Sequence, residues 1–278
     1  MKISFVVLHY ETLHDTAACL HSLVKYFEEA DIHVAVVDNA SKSGKLRSIE
    51  EQFASYDNIT FLYSESNLGF AKGNNLGFAY AKREWQPDII LLCNNDLVFD
   101  QPDFVGRLTA AYEAEPFDVA GPRIISLIDG MNQNPTIRPV SSKQEAGTRL
   151  WKLRVLYLLS FFHLDVLIKK YVSKPVTEYH YEEGADFQLH GACLILGKHF
   201  IENYDGLYDG TFMYGEEDIL RFQVDRDDLC MKYLDELEVK HKEGSSTASV
   251  YRKSAQKRRF LYKWSIDSYQ QLYRMMKE

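Results

Sequence analysis

Residues 89–96 read Ile-Ile-Leu-Leu-Cys-Asn-Asn-Asp, an apolar run that changes without a linker into three polar residues. Five consecutive apolar residues suit a strand that is buried on both faces of a parallel sheet. Asn94, Asn95 and Asp96 would then lie at the carboxyl end of this strand. In open α/β sheets, ligands bind beyond these carboxyl ends. The stretch therefore predicts an α/β fold and a candidate ligand site.

Three strand and helix units precede this stretch. Residues 3–8, 34–37 and 59–63 are apolar or β-branched runs, and apolar residues recur at helical spacing between them. The order β-α-β-α-β-α-β predicts a mostly parallel, doubly wound, Rossmann-like sheet that is flanked by helices. Polar residues also follow these earlier strands, namely His9, Asp38, Asn39 and Asn67.

The second half of the chain is less regular. Residues 130–147 are polar and contain two prolines, which predicts a long loop. Residues 193–196 predict another buried strand, and residues 216–222 predict the start of a helix. Residues 255–276 predict a long, basic, amphipathic helix.

Length and composition limit the classes of protein. A chain of 278 residues fits one α/β domain over residues 1–250 with a C-terminal helical extension over residues 251–278. The net charge of -8 argues against nucleic acid as a partner, because binding to a phosphate backbone relies on a basic face. The four cysteines are isolated in the sequence, which predicts reduced thiols in a cytoplasmic protein.

Two segments resemble sequences that lie at a membrane surface. Residues 151–171 are apolar and aromatic with basic residues near both ends, and residues 251–278 combine Trp264 with a basic cluster. That cluster comprises Lys253, Lys257, Arg258, Arg259 and Lys263. No apolar stretch reaches the roughly 20 residues that a spanning helix needs. Peripheral contact with the inner face of the cytoplasmic membrane, a packed helix and a partner helix in a homodimer remain alternatives.

Asp96 and His241 are candidate metal ligands. A carboxylate at a strand end can hold a hard divalent cation, although Asn-Asn-Asp is also common in turns. A single His is often an ordinary surface or core residue. An imidazole ligand would favour Mn²⁺ over Mg²⁺.

Three carboxylates, Glu216, Glu217 and Asp218, follow the aromatic and glycine residues of 212–215. At the start of a helix they can cap it and interact with its dipole. Crowded carboxylates also raise one another's pKa, so that one of them can serve as a general base near neutral pH. The sequence leaves both alternatives open.

Residues 67–75 read Asn-Leu-Gly-Phe-Ala-Lys-Gly-Asn-Asn. The stretch is neither a Walker phosphate loop nor a dinucleotide fingerprint. Close backbone approach and a helix N-terminus that faces a phosphate remain plausible interpretations.

Taken together, these stretches resemble the family 2 glycosyltransferases and, within them, the bacterial rhamnosyltransferase-like branch. Six pieces match in family order: residues 36–41, 67–75, 92–96, 190–192, 212–218 and 241–246. The resemblance implies a glycosyltransferase type A fold, with a donor half over about residues 1–125 and an acceptor half over about residues 126–250.

The resemblance also implies an activity. We expect inverting, metal-dependent transfer of rhamnose or another hexose from dTDP-rhamnose or a UDP-hexose. The acceptor would be a hydroxyl of a glycan or a lipid-linked molecule in the synthesis of cell-surface polysaccharide such as capsule or O-antigen. The cofactor would be a divalent cation, with Mn²⁺ favoured over Mg²⁺.

The family pattern assigns roles to individual residues. The nucleotide-sugar site would comprise His9, Asp38, Asn39, Asn67, Lys72, Gly73, Asn74, Asn95 and Asp96. Asp96 and His241 would hold the cation, and His190 and Gly191 would lie near the acceptor. Asp218 would deprotonate the acceptor hydroxyl, with Glu217 as the alternative base.

Two rival functions remain at this stage. Asn94 stands where the family usually has the first acid of an Asp-X-Asp motif, which leaves open a catalytically impaired nucleotide-sugar or glycan-binding protein. A sugar nucleotidyltransferase would need a glycine-rich and basic loop after the first strand. The sequence has His9, Tyr10 and Glu11 there instead.

Overall fold

The computed structural model describes residues 1–138, 140–172, 181–182, 184–243 and 254–277, without the side chains of residues 169–172. Residues 244–246 of the last matching piece, and Lys253 of the basic cluster, lie outside the described residues.

A mixed sheet of eight strands forms the centre of the molecule, in the order β3-β2-β1-β4-β9-β6-β10-β5. Its strands are β1 (Lys2–His9), β2 (Asp31–Asp38), β3 (Ile59–Tyr63), β4 (Ile89–Asn94), β5 (Leu97–Val98), β6 (Val119–Ser126), β9 (Cys193–Gly197) and β10 (Met231–His241). The strands β3, β2, β1 and β4 are parallel, as predicted, and β10 is parallel to β6. The strands β9 and β5 run antiparallel to their neighbours, which the sequence pattern did not predict. A separate two-stranded sheet pairs β7 (Thr136–Ile137) with β8 (Phe187–Gln188).

Helices cover both faces of the large sheet. They are α1 (Leu13–Leu23), α2 (Leu46–Gln52), α3 (Phe70–Glu84), α4 (Phe104–Ala114), α5 (Lys143–Ser160), α6 (Leu164–Val172), α7 (Lys198–Asn203), α8 (Glu216–Arg226) and α9 (Ser254–Met275), with a 3-10 turn at Val24–Tyr26. Because side chains alternate along a strand, Phe5 and Val7 of β1 pack with α1, α2 and α4, whereas Val6 packs with α3, α7 and α8. The predicted two-sided burial of the strands is confirmed.

The C-terminal helix α9 is part of the folded structure. With α5 and α8 it forms a smaller apolar cluster, comprising Val140, Ala146, Leu150, Ile219, Tyr269 and Leu272. The start of α5 corrects the predicted loop over residues 130–147, because the helix begins at Lys143. Ser142 and Glu145 form a capping box there, a sequence signal for a helix N-terminus.

The topology brings distant parts of the chain together at one end of the strands of the sheet. The carboxyl ends of β1, β2 and β4 carry His9, Asp38 and Asn94, as parallel strands require. The antiparallel β9 begins at this end of the sheet, since Cys193 pairs with Cys93 near the carboxyl end of β4. Among the helices in the described part of the chain, none is long and apolar enough to span a bilayer.

Candidate active site

The pairing of β5 with β10 places Asp96 beside His241. In the β5–β10 ladder His241 is opposite Leu97, the residue after Asp96. The backbone N–H of Lys242 donates to the carbonyl oxygen of Asp96 at 3.0 Å. His241 Nε2 lies 3.2 Å from Asp96 Oδ1, and both side chains are buried. Asp96 Oδ1 has no hydrogen-bond partner among the described residues, so it keeps the capacity to coordinate a cation.

Gln133 orients the imidazole of His241. Its amide oxygen lies 2.8 Å from His241 Nδ1 and accepts the Nδ1–H, which directs Nε2 toward Asp96. Within the described ranges, no group of three or more His, Cys, Asp or Glu side chains could hold a metal ion. The predicted pair of metal ligands, Asp96 and His241, is brought together by the fold.

Asn95 and His9 are joined through α1. The Asn95 amide nitrogen donates to the hydroxyls of Thr12 and Thr16, each at 2.8 Å, and His9 Nδ1 lies 2.6 Å from the Thr16 hydroxyl. The Nε2 atom of His9 has no hydrogen-bond partner among the residues described. Burial lowers the pKa of His9, although Asp38 and Glu11 oppose the shift. The buried imidazole is therefore mainly neutral near pH 7.

Asp38 and Asn39 shape the loop at the end of β2. Asp38 Oδ1 accepts the N–H of Ser41 at 2.9 Å. The Asn39 amide donates to the carbonyl oxygen of Gly69 at 2.9 Å and lies 3.3 Å from Asn67 Oδ1. The structure thus brings together three of the predicted nucleotide-site residues, Asp38, Asn39 and Asn67.

Helix α3 places the other predicted nucleotide-site residues with different exposure. Lys72 is exposed, whereas Asn74 is buried and its Oδ1 has no hydrogen-bond partner in the described part of the chain. A Cβ atom at Gly73 would lie 2.7 Å from Leu8 Cδ1, so this glycine allows α3 to approach β1. At Gly69, where φ is +83°, a Cβ atom would lie 2.0 Å from the carbonyl oxygen of Phe212. This contact connects the start of α3 to the loop that precedes α8.

Glu217 faces the predicted acceptor residues. A Cβ atom at Gly191 would lie 2.8 Å from Glu217 Oε1, so only a glycine leaves the carboxylate in this position. The ring of the neighbouring His190 is centred 5.8 Å from the ring of His241. Burial lowers the pKa of His190, with Glu217 as the strongest opposing charge. His190, Gly191, Glu217 and His241 therefore lie close to one another.

Asp218 points to the C-terminal helix. Its Oδ2 accepts the hydroxyl of Tyr269 at 2.5 Å, while Arg149 stacks over the Tyr269 ring. Burial raises the pKa of Asp218 to about 6, and the hydrogen bond from Tyr269 opposes this shift. Burial also raises the pKa of Glu216 to about 8, with a further contribution from Glu217. The three adjacent carboxylates thus have three different environments.

Helix α9 also holds the loop before α8. Ser268 donates to the carbonyl oxygen of Met213 at 3.3 Å, and the rings of Trp264 and Phe212 are centred 4.4 Å apart. Together with the hydrogen bond from Tyr269, these contacts fix the start of α8 from the C-terminal side. Helix α9, which the sequence predicted as a C-terminal extension, therefore positions the three carboxylates at the start of α8.

We expect Asp218→Asn to gain stability relative to the wild type as the pH rises from about 4 to about 7. Because the folded-state pKa is raised from 3.8 to about 6, the wild type loses stability as Asp218 ionises over this interval. The uncharged amide of the variant carries no such cost, so the difference in unfolding free energy should change by on the order of 3 kcal/mol. Urea denaturation of both proteins across this range measures it. The exposed Asp57→Asn is the control, and an equally large change in that variant would contradict the assignment.

Sequence comparison identifies the family. The sequence profile described as "Glycosyl transferase family 2" matches residues 4–164, more than half of the 278-residue chain. The chain belongs to glycosyl transferase family 2. The predicted family is confirmed, and the matched region contains the donor-side residues from His9 to Asp96.

One curated protein is similar to this chain in sequence, and one solved structure is similar to it in fold. The low-salt glycan biosynthesis hexosyltransferase Agl10 of Haloferax volcanii is 26% identical over 215 residues, which are 77% of this chain and 59% of Agl10. S. aureus TarS 1-349 in complex with UDP-GlcNAc has a TM-score of 0.57 at 17% identity, covering 90% of this chain and 62% of that chain. The chain thus spans less than two thirds of either protein.

A second solved structure agrees on the fold of this family 2 chain. GalNAc-T7 with UDP, GalNAc and Mn²⁺ has a TM-score of 0.58 at 12% identity, covering 92% of this chain and 49% of that chain. At these identities the likeness concerns the fold alone. The predicted glycosyltransferase type A fold, with a mostly parallel sheet and a C-terminal helix, is confirmed.

The structure adds site residues that the sequence reasoning missed. Gln133 orients His241 from a distance of 108 residues along the chain, and Tyr269 binds Asp218 from a distance of 51 residues. Thr16 joins His9 to Asn95. None of these residues belongs to a spaced motif, and only the polar side chain of Gln133 within the predicted loop was a weak signal.

Proposed function

We propose that this chain is an inverting glycosyltransferase that moves a hexose from a nucleotide diphosphate sugar to a hydroxyl of a glycan or a lipid-linked acceptor. The observation that carries the proposal is the pair of buried Asp96 and oriented His241, with Glu217 beside Gly191 and the adjacent His190 near His241. The Asp96 carboxylate is suited to bind a cation, and the Glu217 carboxylate is suited to accept a proton. Family membership and the hexosyltransferase relative support sugar transfer as the reaction.

Asp96 and His241 would hold the divalent cation. The fit is supported by the Asp96 oxygen without a hydrogen-bond partner among the described residues and by the His241 Nε2 atom that Gln133 directs toward it. Two protein ligands suffice where diphosphate oxygens and water complete the coordination. When bound, the cation would neutralise charge on the leaving diphosphate. The imidazole favours Mn²⁺, which is also the ion named with GalNAc-T7.

The donor is a nucleotide diphosphate hexose. TarS is named in complex with UDP-GlcNAc and GalNAc-T7 with UDP, which supports a UDP-sugar donor for this chain, and the branch resemblance keeps dTDP-rhamnose as a candidate. Asp38, Asn39 and Asn67 would contact the nucleoside, since they lie together beyond β2. The N-terminus of α3 would face the diphosphate, because orphan N–H groups and the helix dipole favour an anion there.

Glu217 is the general base in this proposal. Asp218, with a pKa raised to about 6, has a titration range suited to a base, but its carboxylate binds Tyr269 on the side of α9. A base must first be within reach of the proton, and its pKa is the second criterion. Glu217 meets the first criterion through its position over Gly191, beside His190.

The reaction would be a single displacement. Glu217 takes the proton of the acceptor hydroxyl as that oxygen attacks the anomeric carbon, and the bond from this carbon to the diphosphate oxygen breaks on the opposite face. The configuration at the anomeric carbon is therefore inverted. The half-buried His190 would position the acceptor and keep water from the reacting atoms.

Thermal unfolding with nucleotide sugars tests the proposal. We expect UDP-glucose, UDP-GlcNAc or dTDP-rhamnose, each with Mn²⁺, to raise the Tm by roughly 5 °C at a hundredfold excess over Kd, because ligand binding to the native state adds about 3 kcal/mol. Asp38→Asn should reduce this rise. The matched control is Asp57→Asn, at an exposed position just before the amino end of β3, which is the end of the sheet opposite to the candidate site.

Two other outcomes would separate the alternatives. No change in Tm with any of the nucleotide sugars would contradict a nucleotide-sugar site. A rise in Tm without Mn²⁺-dependent transfer or hydrolysis of the sugar would instead support a catalytically impaired binding protein, the alternative suggested by Asn94.

A further inference from the structure

Helices α5 and α6 present a large apolar face to solvent. Its most exposed members are Phe162 at 76%, Trp151 at 65%, Leu158 at 64% and Leu167 at 55%. Phe161, Leu164, Val166 and Ile168 are also exposed large apolar residues. An apolar surface of this extent on a folded protein indicates contact with another apolar phase or partner.

The exposed residues follow helical spacing. Trp151, Leu158 and Phe162 are separated by seven and four residues, which places them on one stripe of α5 and its end. On α6, which packs against α5, Leu167 and Ile168 lie three and four residues after Leu164, which places all three on one side of the helix. We call the two stripes together the α5–α6 face.

Buried ionic contacts fix this face to the rest of the protein. Asp165 is fully buried within α6 and accepts hydrogen bonds from Arg258 Nε at 2.6 Å and from the Tyr262 hydroxyl at 3.1 Å. The Arg259 guanidinium lies 4.8 Å from the centre of the Phe161 ring. Helix α9 therefore holds α6 with its apolar residues directed away from the core.

From Ala146 to Ile168, the exposed charged residues of α5 and α6 are basic. Between Ala146 and Ile168 the sequence contains one acidic residue, Asp165, and its side chain is buried in the ion pair with Arg258. Lys152 and Arg154 of α5 are exposed, as is Lys263 of α9. This arrangement contrasts with the net charge of -8 for the whole chain.

We propose that the α5–α6 face docks on the surface of an anionic lipid bilayer. Apolar and aromatic residues would enter the boundary between headgroups and acyl chains, while Lys152 and Arg154 contact lipid phosphates. A second copy of this chain fits the face less well. A two-fold symmetric contact would bring the same basic residues together without acidic partners on this face.

This inference does not rest on the proposed sugar transfer. Docking through α5 and α6 would also bring the start of α8 near the bilayer, because Tyr269 of α9 binds Asp218 and Arg149 of α5 lies over the Tyr269 ring. A lipid-linked acceptor would then approach the protein from the bilayer.

Vesicle co-sedimentation of the full chain tests the inference. We expect binding to vesicles of phosphatidylcholine mixed with phosphatidylglycerol, and at least about tenfold weaker binding to phosphatidylcholine alone, because several basic residues contribute about fivefold each. The double variant Phe162→Glu and Leu167→Glu should lose binding to the mixed vesicles by about tenfold or more. Both positions are exposed, so the variant should keep the wild-type thermal unfolding.

A matched variant and a second measurement make the result decisive. Ile137→Glu changes an apolar residue of similar exposure, 67%, on β7 and should bind the mixed vesicles as the wild type does. Equal binding of the wild type and the double variant would overturn the proposal. So would a wild-type dimer in light scattering that becomes a monomer in the double variant without any vesicle binding.

Discussion

Glu217→Gln should lower the rate of sugar transfer by about 10²- to 10⁴-fold, the usual contribution of a general base. Glutamine keeps the size of the side chain over Gly191 but cannot take a proton from the acceptor hydroxyl. The measurement is kcat under saturating donor and acceptor, with product formation followed directly. The thermal shift caused by donor and Mn²⁺ should remain, since the base does not contact the donor in our proposal.

Asp218→Asn is the matched control for this result. Asparagine can still accept the Tyr269 hydroxyl, so we expect α8 to keep its position and kcat to fall by less than about tenfold. The variant that loses turnover identifies the base. Retained turnover in Glu217→Gln with loss in Asp218→Asn would move the base by one residue, as the family pattern first suggested.

Asp96→Asn should abolish the Mn²⁺-dependent part of donor binding. The substitution removes the negative charge of one of two protein ligands, and we expect Mn²⁺ affinity to fall by more than about 100-fold. Gln133→Ala should weaken it by about 10- to 100-fold, because His241 would lose the partner that fixes its tautomer. Titration of free Mn²⁺ by electron paramagnetic resonance, in the presence of UDP, reports this without any turnover.

Asp100→Asn controls for a general loss of negative charge near β5. Asp100 follows β5 and pairs with Lys240 on the surface, so its substitution should leave Mn²⁺ binding unchanged. Chelation with EDTA should abolish transfer by the wild type, and added Mn²⁺ should restore it. Transfer that persists in EDTA, together with wild-type turnover by Asp96→Asn, would contradict a metal-dependent mechanism.

Most of the predictions that succeeded rest on local signals in the sequence. The four parallel strands and the polar residues at their ends follow from continuous apolar runs and helical spacing, which depend on neighbouring residues. The start of α5 was missed although Ser142 and Glu145 carry a local capping signal. The antiparallel direction of β9 was not predictable from its apolar pattern, which is the same in either direction.

Sequence spacing could not decide which of the three adjacent carboxylates would act as the general base. Glu216, Glu217 and Asp218 are adjacent, and any of them can cap a helix or accept a proton. Their environments differ because successive residues of a helix point about 100° apart. Glu217 therefore meets Gly191 while Asp218 meets Tyr269 of α9.

The sequence by itself determined the family, the α/β class and the strand ends at which polar residues collect, because these properties reside in local periodicity and short motifs. The tertiary structure alone decided that His241 stands 3.2 Å from Asp96, that Gln133 orients it and that the α5–α6 face is exposed. These features arise from strand register and from helix packing between residues far apart in the chain. No local pattern encodes such distances.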